Sequence, residues 1–262
     1  MSEFLVYSTS SQVIITSACI LNDEVVAYGT KSGDVVFFNI KEKKELSKVS
    51  FGISAIESLS YNGQFLVASY SDTCGLVDAA GQIVHTLKFP EPLKQALLTN
   101  DNFVIAATKE DLLIRRSLEE SSESPSESVL QMKTESSLNG IAVSESLLAV
   151  ALGSGHIALY NFETLQLLYK FGAHSINAYC VALHGNTLVS GGGDALGTLF
   201  RIENQVTAEC VKTFGQLEWP VRACAVHSDK VAFGSDADAS RVRVGLGPLH
   251  KKNFRVFLWT PA

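Results

Sequence analysis

Apolar and polar residues alternate in short runs along most of this chain, and apolar residues at helical spacing are scarce. Three segments have one plan: "VVAYGTKSGDVVFFNI" (residues 25–40), "FLVASYSDTCGLVDAA" (65–80) and "LLAVALGSGHIALYNF" (147–162). Each is an apolar run, a small glycine- or aspartate-rich turn, and a second apolar run. "VSGGGDALGTLFRI" (189–202) repeats the plan, and "FVIAATKEDLLIRRSL" (103–118) matches it more loosely. The apolar runs are rich in β-branched and aromatic residues, which fit a pleated, half-buried surface, so they predict strands.

The glycines of residues 191–193 could suggest a phosphate-cradling loop. Such a loop needs a helix after it, whose N-terminal N–H groups hold the phosphate. Here the glycines lead instead into Thr198-Leu199-Phe200-Arg201-Ile202, an alternating run that predicts a strand. The glycines fill the recurring turn slot, where glycine accepts positive φ and lets neighbouring chains approach.

A polar turn precedes each hairpin: Asn22-Asp23, Asn62-Gly63, Asn100-Asp101, Ser144-Glu145, His184-Gly185 and Ser228-Asp229. The first residues of these turns lie 40, 38, 44, 40 and 44 positions apart. A period near forty with several short strands per unit predicts an all-β fold, a β-propeller with one four-stranded blade per repeat. The repeats number six and place the whole chain, 1–262, in one domain. In each unit strand a precedes the polar turn, b comes after it, c comes after the glycine turn, and d ends the unit. For the fourth unit this gives 140–143, 147–151, 156–162 and 166–171. The last unit has room for strand b and one late strand, 254–259, while the N-terminus has a spare strand at 4–8. The simplest arrangement makes the N-terminal strand the outer strand of the last blade, so that no sheet edge stays open. The alternative takes 241–244 as strand c and 254–259 as strand d.

The repeat resembles the WD40 family. The residues that carry the likeness are Gly172-Ala173-His174 near that family's Gly-His position, Ser190 in its strand b serine slot and Asp194 in its turn aspartate slot. Phe200 stands where the family has tryptophan. Trp259 fills that slot in the last unit, with Thr260 in place of the next residue, an aspartate in the family. Asp34, Asp72, Asp111 and Asp236 fall near the turn slot of other units, and His156 occupies it in the fourth. The resemblance implies a structural network of His174, Ser190 and Asp194 inside a blade, without the tryptophan. The family usually has seven blades, so six is a departure.

Bulk charge and chemistry narrow the function. A 46% hydrophobic fraction allows a sizeable core, and the net charge of −6 argues against direct nucleic-acid binding, which needs a basic face. The N-terminus lacks a secretory pattern, and no run approaches a membrane span. The expected location is cytoplasmic or nuclear. The five cysteines show no CxxC spacing and read as reduced thiols. Cys19, Cys180 and Cys224 fall in strand a of their units, as small core residues. The histidines have no metal-ligand spacing, so neither a metal nor a cofactor is expected. His174, Ser190 and Asp194 formally match a hydrolase triad, but there is no GxSxG turn and Ser190 lies mid-strand. No catalytic residue is therefore assigned. Arg115-Arg116 resembles the Phe-Arg-Arg-Gly motif of phosphoinositide-binding propellers, but Ile114 and Ser117 replace the flanking residues, and an acidic chain disfavours a membrane. The serine-rich acidic stretch 119–128 predicts a solvated c–d loop in which Ser124-Pro125 is a candidate phosphorylation site.

In a propeller the d–a loops and b–c turns gather at one face. Here that face gathers Lys31, Asp72, Lys109, Asn139, His156, Asn177, Asp194, Trp219 and Arg222. Tryptophan and arginine are enriched among residues that carry interface energy, so "LEWPVRACAV" marks Trp219 and Arg222 as partner-binding candidates, with Asn177, Lys31, Lys109 and His156 around them. The expected function is a non-enzymatic protein-interaction scaffold in a larger complex, with other proteins as partners. A reader of short peptides or modified tails and a propeller hydrolase are the alternatives.

Overall fold

The computed structural model describes residues 14–118, 129–204, 206–215, 219–227, 230–235 and 255–259. Among these there are 23 strands and no helix, and the strands form six antiparallel sheets. Contacts divide the chain into two compact units, residues 1–90 and 91–262.

The first unit holds two sheets in simple meander order. One comprises β1 (Ile15–Ile20), β2 (Val25–Thr30), β3 (Asp34–Asn39) and β4 (Lys44–Ser50). The other comprises β5 (Ile56–Tyr61), β6 (Leu66–Tyr70), β7 (Thr73–Val77) and β8 (Ile83–Lys88). β1 and β5 lie side by side, and Ala27, Val35, Phe37, Ile56, Leu66, Ala68 and Val77 form the core between the sheets.

The second unit holds four sheets. The third sheet is β9 (Leu93–Leu98), β10 (Phe103–Thr108), β11 (Leu112–Ser117) and β12 (Val129–Lys133). The fourth is β13 (Leu138–Ser144), β14 (Leu147–Leu152), β15 (His156–Asn161) and β16 (Leu167–Gly172). The fifth is β17 (Ala178–His184), β18 (Thr187–Gly192), β19 (Gly197–Glu203) and β20 (Thr207–Phe214). The sixth has three described strands, β21 (Val221–His227), β22 (Lys230–Ser235) and β23 (Arg255–Trp259). β9 neighbours β13, β13 neighbours β17, and β17 neighbours β21. Side chains such as Leu113, Leu138, Leu148 and Phe162 fill the space between the third and fourth sheets.

The middle strands of the sheets, such as β6, β7 and β14, are the most buried, while the fourth strands β4, β8 and β20 are mostly exposed. Short polar turns join the strands. Asn22, Asn62 and Asn161 each accept two backbone N–H bonds through Oδ1 within such a turn. That local bonding explains why asparagine recurs there.

The hairpins and the order of strands a to d match the expectation, with ends moved by one or two residues. In the last unit, β23 pairs directly with β22. Residues 255–259 are therefore the third strand, and the alternative that placed them fourth is excluded. The proposed N-terminal strand at 4–8, Asp236 and the segment 241–244 lie outside the described residues.

The triple glycine forms an antiparallel turn between β18 and β19, with a strand after it and no helix. Its physical reason differs in part from the expectation. None of Gly191, Gly192 and Gly193 has positive φ, whereas Ala195 does, at 62°. What demands glycine is crowding: a Cβ on Gly191 would strike Val221, one on Gly192 the His174 ring, and one on Gly193 would press on Ile176 and Tyr179.

Candidate protein-interaction site

Each first strand carries a β-bulge near its start. In β17, Ala178 pairs with Gly192 and Cys180 with Gly191, so Tyr179 has no partner in the ladder. The same one-residue insertion falls at Thr16 in β1, Glu57 in β5, Lys94 in β9, Asn139 in β13 and Arg222 in β21. A bulge bends its strand and re-aims the extra side chain. Six unrelated residue types thus occupy one structural position. The period-2 pattern gives no sign of an inserted residue. The available signal was a polar residue or tyrosine followed by a small or polar one near the start of each apolar strand, as in Lys94-Gln95 or Asn139-Gly140.

The bulges also build the joints between sheets. Where a sheet follows another in the same unit, the residue before its bulge is fully buried, namely Ile56, Leu138, Ala178 and Val221. The second strand of the preceding sheet offers it a small residue. Ile56 lies against Gly29 and Val221 against Gly191. Leu138 shares a core with Ala107, and Ala178 shares one with Ala151. The carbonyl of the same residue takes a bond from the preceding sheet. Thr16 Oγ1 donates to Ile56 O at 2.5 Å, Lys94 Nζ to Leu138 O at 2.6 Å, and Asn139 Nδ2 to Ala178 O at 2.8 Å. In the last joint Cys180 Sγ takes this role toward Val221 O, at 3.9 Å. Gln95 adds a paired bond, donating to Ile141 O at 3.1 Å and accepting from Ile141 N at 2.9 Å.

Around these joints lie the candidate residues. Arg222, the exposed bulge residue of β21, lies over the ring of Tyr179, the bulge residue of β17, with Cζ 3.8 Å from the centroid. Ile176 nearby is 53% exposed. Trp219, half-buried, leads into β21. Asn177 is half-buried and its carbonyl accepts the Gly193 N–H at 2.8 Å. Lys109 is exposed at the turn between β10 and β11, its N–H bonded to Pro92 O at 2.7 Å. His156 begins β15, and its Nδ1 lies 3.1 Å from Ser154 O. Arg222, Tyr179, Asn177 and Ile176 are thus brought together, while Lys109 and His156 belong to other sheets of the second unit. Lys31 is exposed at the corresponding turn of the first unit, where Asp72 is held below its ordinary pKa, chiefly by the Thr73 hydroxyl. Asp111 at the same turn of the third sheet is bonded to Lys94 and to the Leu138 N–H. Burial pushes that carboxyl up, but these two donors outweigh it and hold it low.

The structure brings His174, Ser190 and Asp194 into one chain of bonds. His174 Nε2 lies 2.8 Å from Ser190 Oγ, and its Nδ1 lies 3.0 Å from Asp194 Oδ1. Asp194 also accepts the Ser175 and Leu196 N–H groups, at 2.9 and 3.2 Å. Burial lowers the His174 pKa, and Asp194 opposes the shift without cancelling it. The neutral ring is therefore favoured, with Nδ1–H donating to Asp194 and Nε2 accepting from Ser190. Phe200 lies on the same face of the sheet as Ser190, two pairs beyond Thr198. Ser190 is fully buried inside β18, so the triad-like set offers no nucleophile to a substrate.

Burial raises the Cys19 thiol to about 11, and burial and then Cys180 raise Cys224 well above its ordinary value. These thiols are packed and protonated. Among the described residues no group of three or more His, Cys, Asp or Glu is placed to hold a metal, and no helix is long and apolar enough to cross a membrane. Ser124 lies outside the described residues.

No family model matches the sequence. THO complex subunit 3 of Arabidopsis thaliana is 33% identical over 100 residues, covering 36% of this chain and 31% of that protein, so the match spans about a third of that relative's length. The β-propeller domain of Cps50 (Swd1) from Myceliophteria thermophila superposes with a TM-score of 0.71 at 17% identity, covering 88% of this chain and 81% of that one. A chain of the mitotic checkpoint complex gives a TM-score of 0.72 at 14% identity, covering 86% and 72%. The fold is a β-propeller, in agreement with the WD40 resemblance carried by the repeats.

Proposed function

We propose that this chain is a protein-interaction subunit of a larger complex, without chemistry of its own, built as one propeller domain over residues 1–262. Its partner contacts in the second unit are made at the bulge end of the sheets by Trp219, Arg222 and Asn177, with Lys109 and His156; in the first unit Lys31 is taken as a partner contact by itself. The observation that carries this reading is the Arg222–Tyr179 stack beside exposed Ile176. Stacking engages the flat face of a guanidinium and donation uses its edge, so one arginine can do both. The stack rests on a bonded joint, so little ordering entropy is lost on binding. The names of the similar proteins, a complex subunit and a chain of a checkpoint complex, support carrying the same role to this one. The His174, Ser190 and Asp194 chain has a structural role in this reading: it ties the loop before β17 to the turn after β18.

Affinity purification of the tagged protein from its own cells tests the proposal. Partners that co-purify with the wild type should fall at least tenfold with Trp219→Ala/Arg222→Glu, while the melting temperature stays within a few degrees. Retention of every partner by a folded variant would move the contact surface elsewhere.

A further inference from the structure

At the opposite end of the sheets, the third and fourth sheets enclose a notch of about 340 Å³ lined by Asp101, Phe103, Arg115, Glu145, Phe162 and Glu163. Arg115 is out of place by the logic of the fold. Counting three pairs from the bulge in each sheet leads to one position in the third strand. It is Phe37 in β3, Leu76 in β7, Leu159 in β15, Leu199 in β19 and Leu258 in β23. In β11 it is Arg115. The notch in the first unit that matches this one has Phe37 among its lining residues.

A charged residue at a core position costs stability unless it is paired. Among the described residues Arg115 has no paired acceptor. Its Nε is enclosed and has no hydrogen-bond partner. Its guanidinium lies flat on Phe103, 3.6 Å from the ring centroid, and 5.0 Å from that of Phe162. Burial lowers its pKa, and Glu163 and then Asp101 oppose that through space. Neither these two carboxylates nor Glu145 closes an ion pair with it among the described residues. Asp101, Glu145 and Glu163 are all exposed. The notch therefore presents a guanidinium stacked on an aromatic ring, with three exposed carboxylates at its rim.

We propose that this notch is a second binding site, independent of the bulge-end surface, which takes a segment of a partner protein bearing an arginine or lysine. Arg115 donates to a backbone carbonyl of that segment. The basic side chain lies beside the Arg115–Phe103 stack and places its charge among Asp101, Glu145 and Glu163. One cation against three carboxylates makes an acidic segment a poor fit. A local departure from the core pattern, kept at a cost in stability, is the kind of departure that marks a functional site.

The test is fluorescence anisotropy with a labelled, end-blocked hexapeptide of alternating arginine and glycine, beside its glutamate–glycine counterpart. The arginine peptide should bind, and Asp101→Asn/Glu163→Gln should weaken it at least tenfold. Glu203→Gln/Glu209→Gln removes the same charge elsewhere and should change binding less than twofold. Arg115→Leu, which restores the residue type of the other sheets, should lose the peptide and melt at a higher temperature than the wild type. Equal weakening by both charge-removing pairs would overturn the site, because general attraction to an acidic chain would then explain binding. Failure of the arginine peptide to bind, or binding of the glutamate peptide that Arg115→Leu abolishes, would overturn the proposed partner chemistry.

Discussion

His174 is held neutral by burial, and this couples the fold to pH. Its pKa lies below 6.5 in the folded protein and near 6.5 in the unfolded chain. The unfolded chain therefore takes up the proton first. The contribution to stability is complete above 6.5 and is lost as pH falls toward the folded value. The melting temperature should drop between about pH 7.5 and pH 5.5, and His174→Gln should flatten that drop. An unchanged slope in the variant would assign the pH dependence to other groups. Asp194→Ala should cost about 2 kcal/mol, because it strands the His174 Nδ1–H and the Ser175 and Leu196 N–H groups, and Ser190→Ala should cost about 1 kcal/mol. Urea denaturation measures both, and a larger loss from Ser190→Ala would reverse the assigned order. These three residues were legible in the sequence because each fills a slot that the repeat defines. Arg115 was legible only as half of an arginine pair. Its anomaly depends on which face of β11 it occupies, and that is set by a register counted from a bulge.

The strands were legible because alternation and turn chemistry are local. Asn22, Asn62 and Asn161 cap their turns through their own side chains, so the residue type reports the geometry directly. The bulges were not legible, because an inserted residue breaks the very periodicity used to find strands. The glycine run was found, but its full reason was not. Gly191 is required by Val221, thirty positions later in the chain, and no local pattern reports a neighbour that far away. Gly191→Ala should accordingly destabilise by about 1–3 kcal/mol, although its φ is ordinary, because the joint between the fifth and sixth sheets cannot close on a methyl group. Gly172→Ala is the control: its Cβ would meet nothing within 4 Å, and the change should be small. Equal losses in thermal melts of the two variants would contradict the role given to the joint.

On the scale of the whole molecule, the period near forty was enough for the propeller fold, since six similar sheets are what such a repeat builds. If residues 1–262 form one domain, calorimetry should give a single unfolding transition whose calorimetric and van't Hoff enthalpies agree. Two separated transitions would assign residues 1–90 and 91–262 to independent domains. The proposed docking surface is the bulge end of the sheets, where Arg222 stacks on Tyr179. The most direct measurement is quantitative co-purification from native cells with the wild type beside Trp219→Ala/Arg222→Glu, the fold of each checked by melting. Docking at this surface requires a defined set of partners that is lost in a variant that still folds. A folded variant that keeps all of them would contradict it.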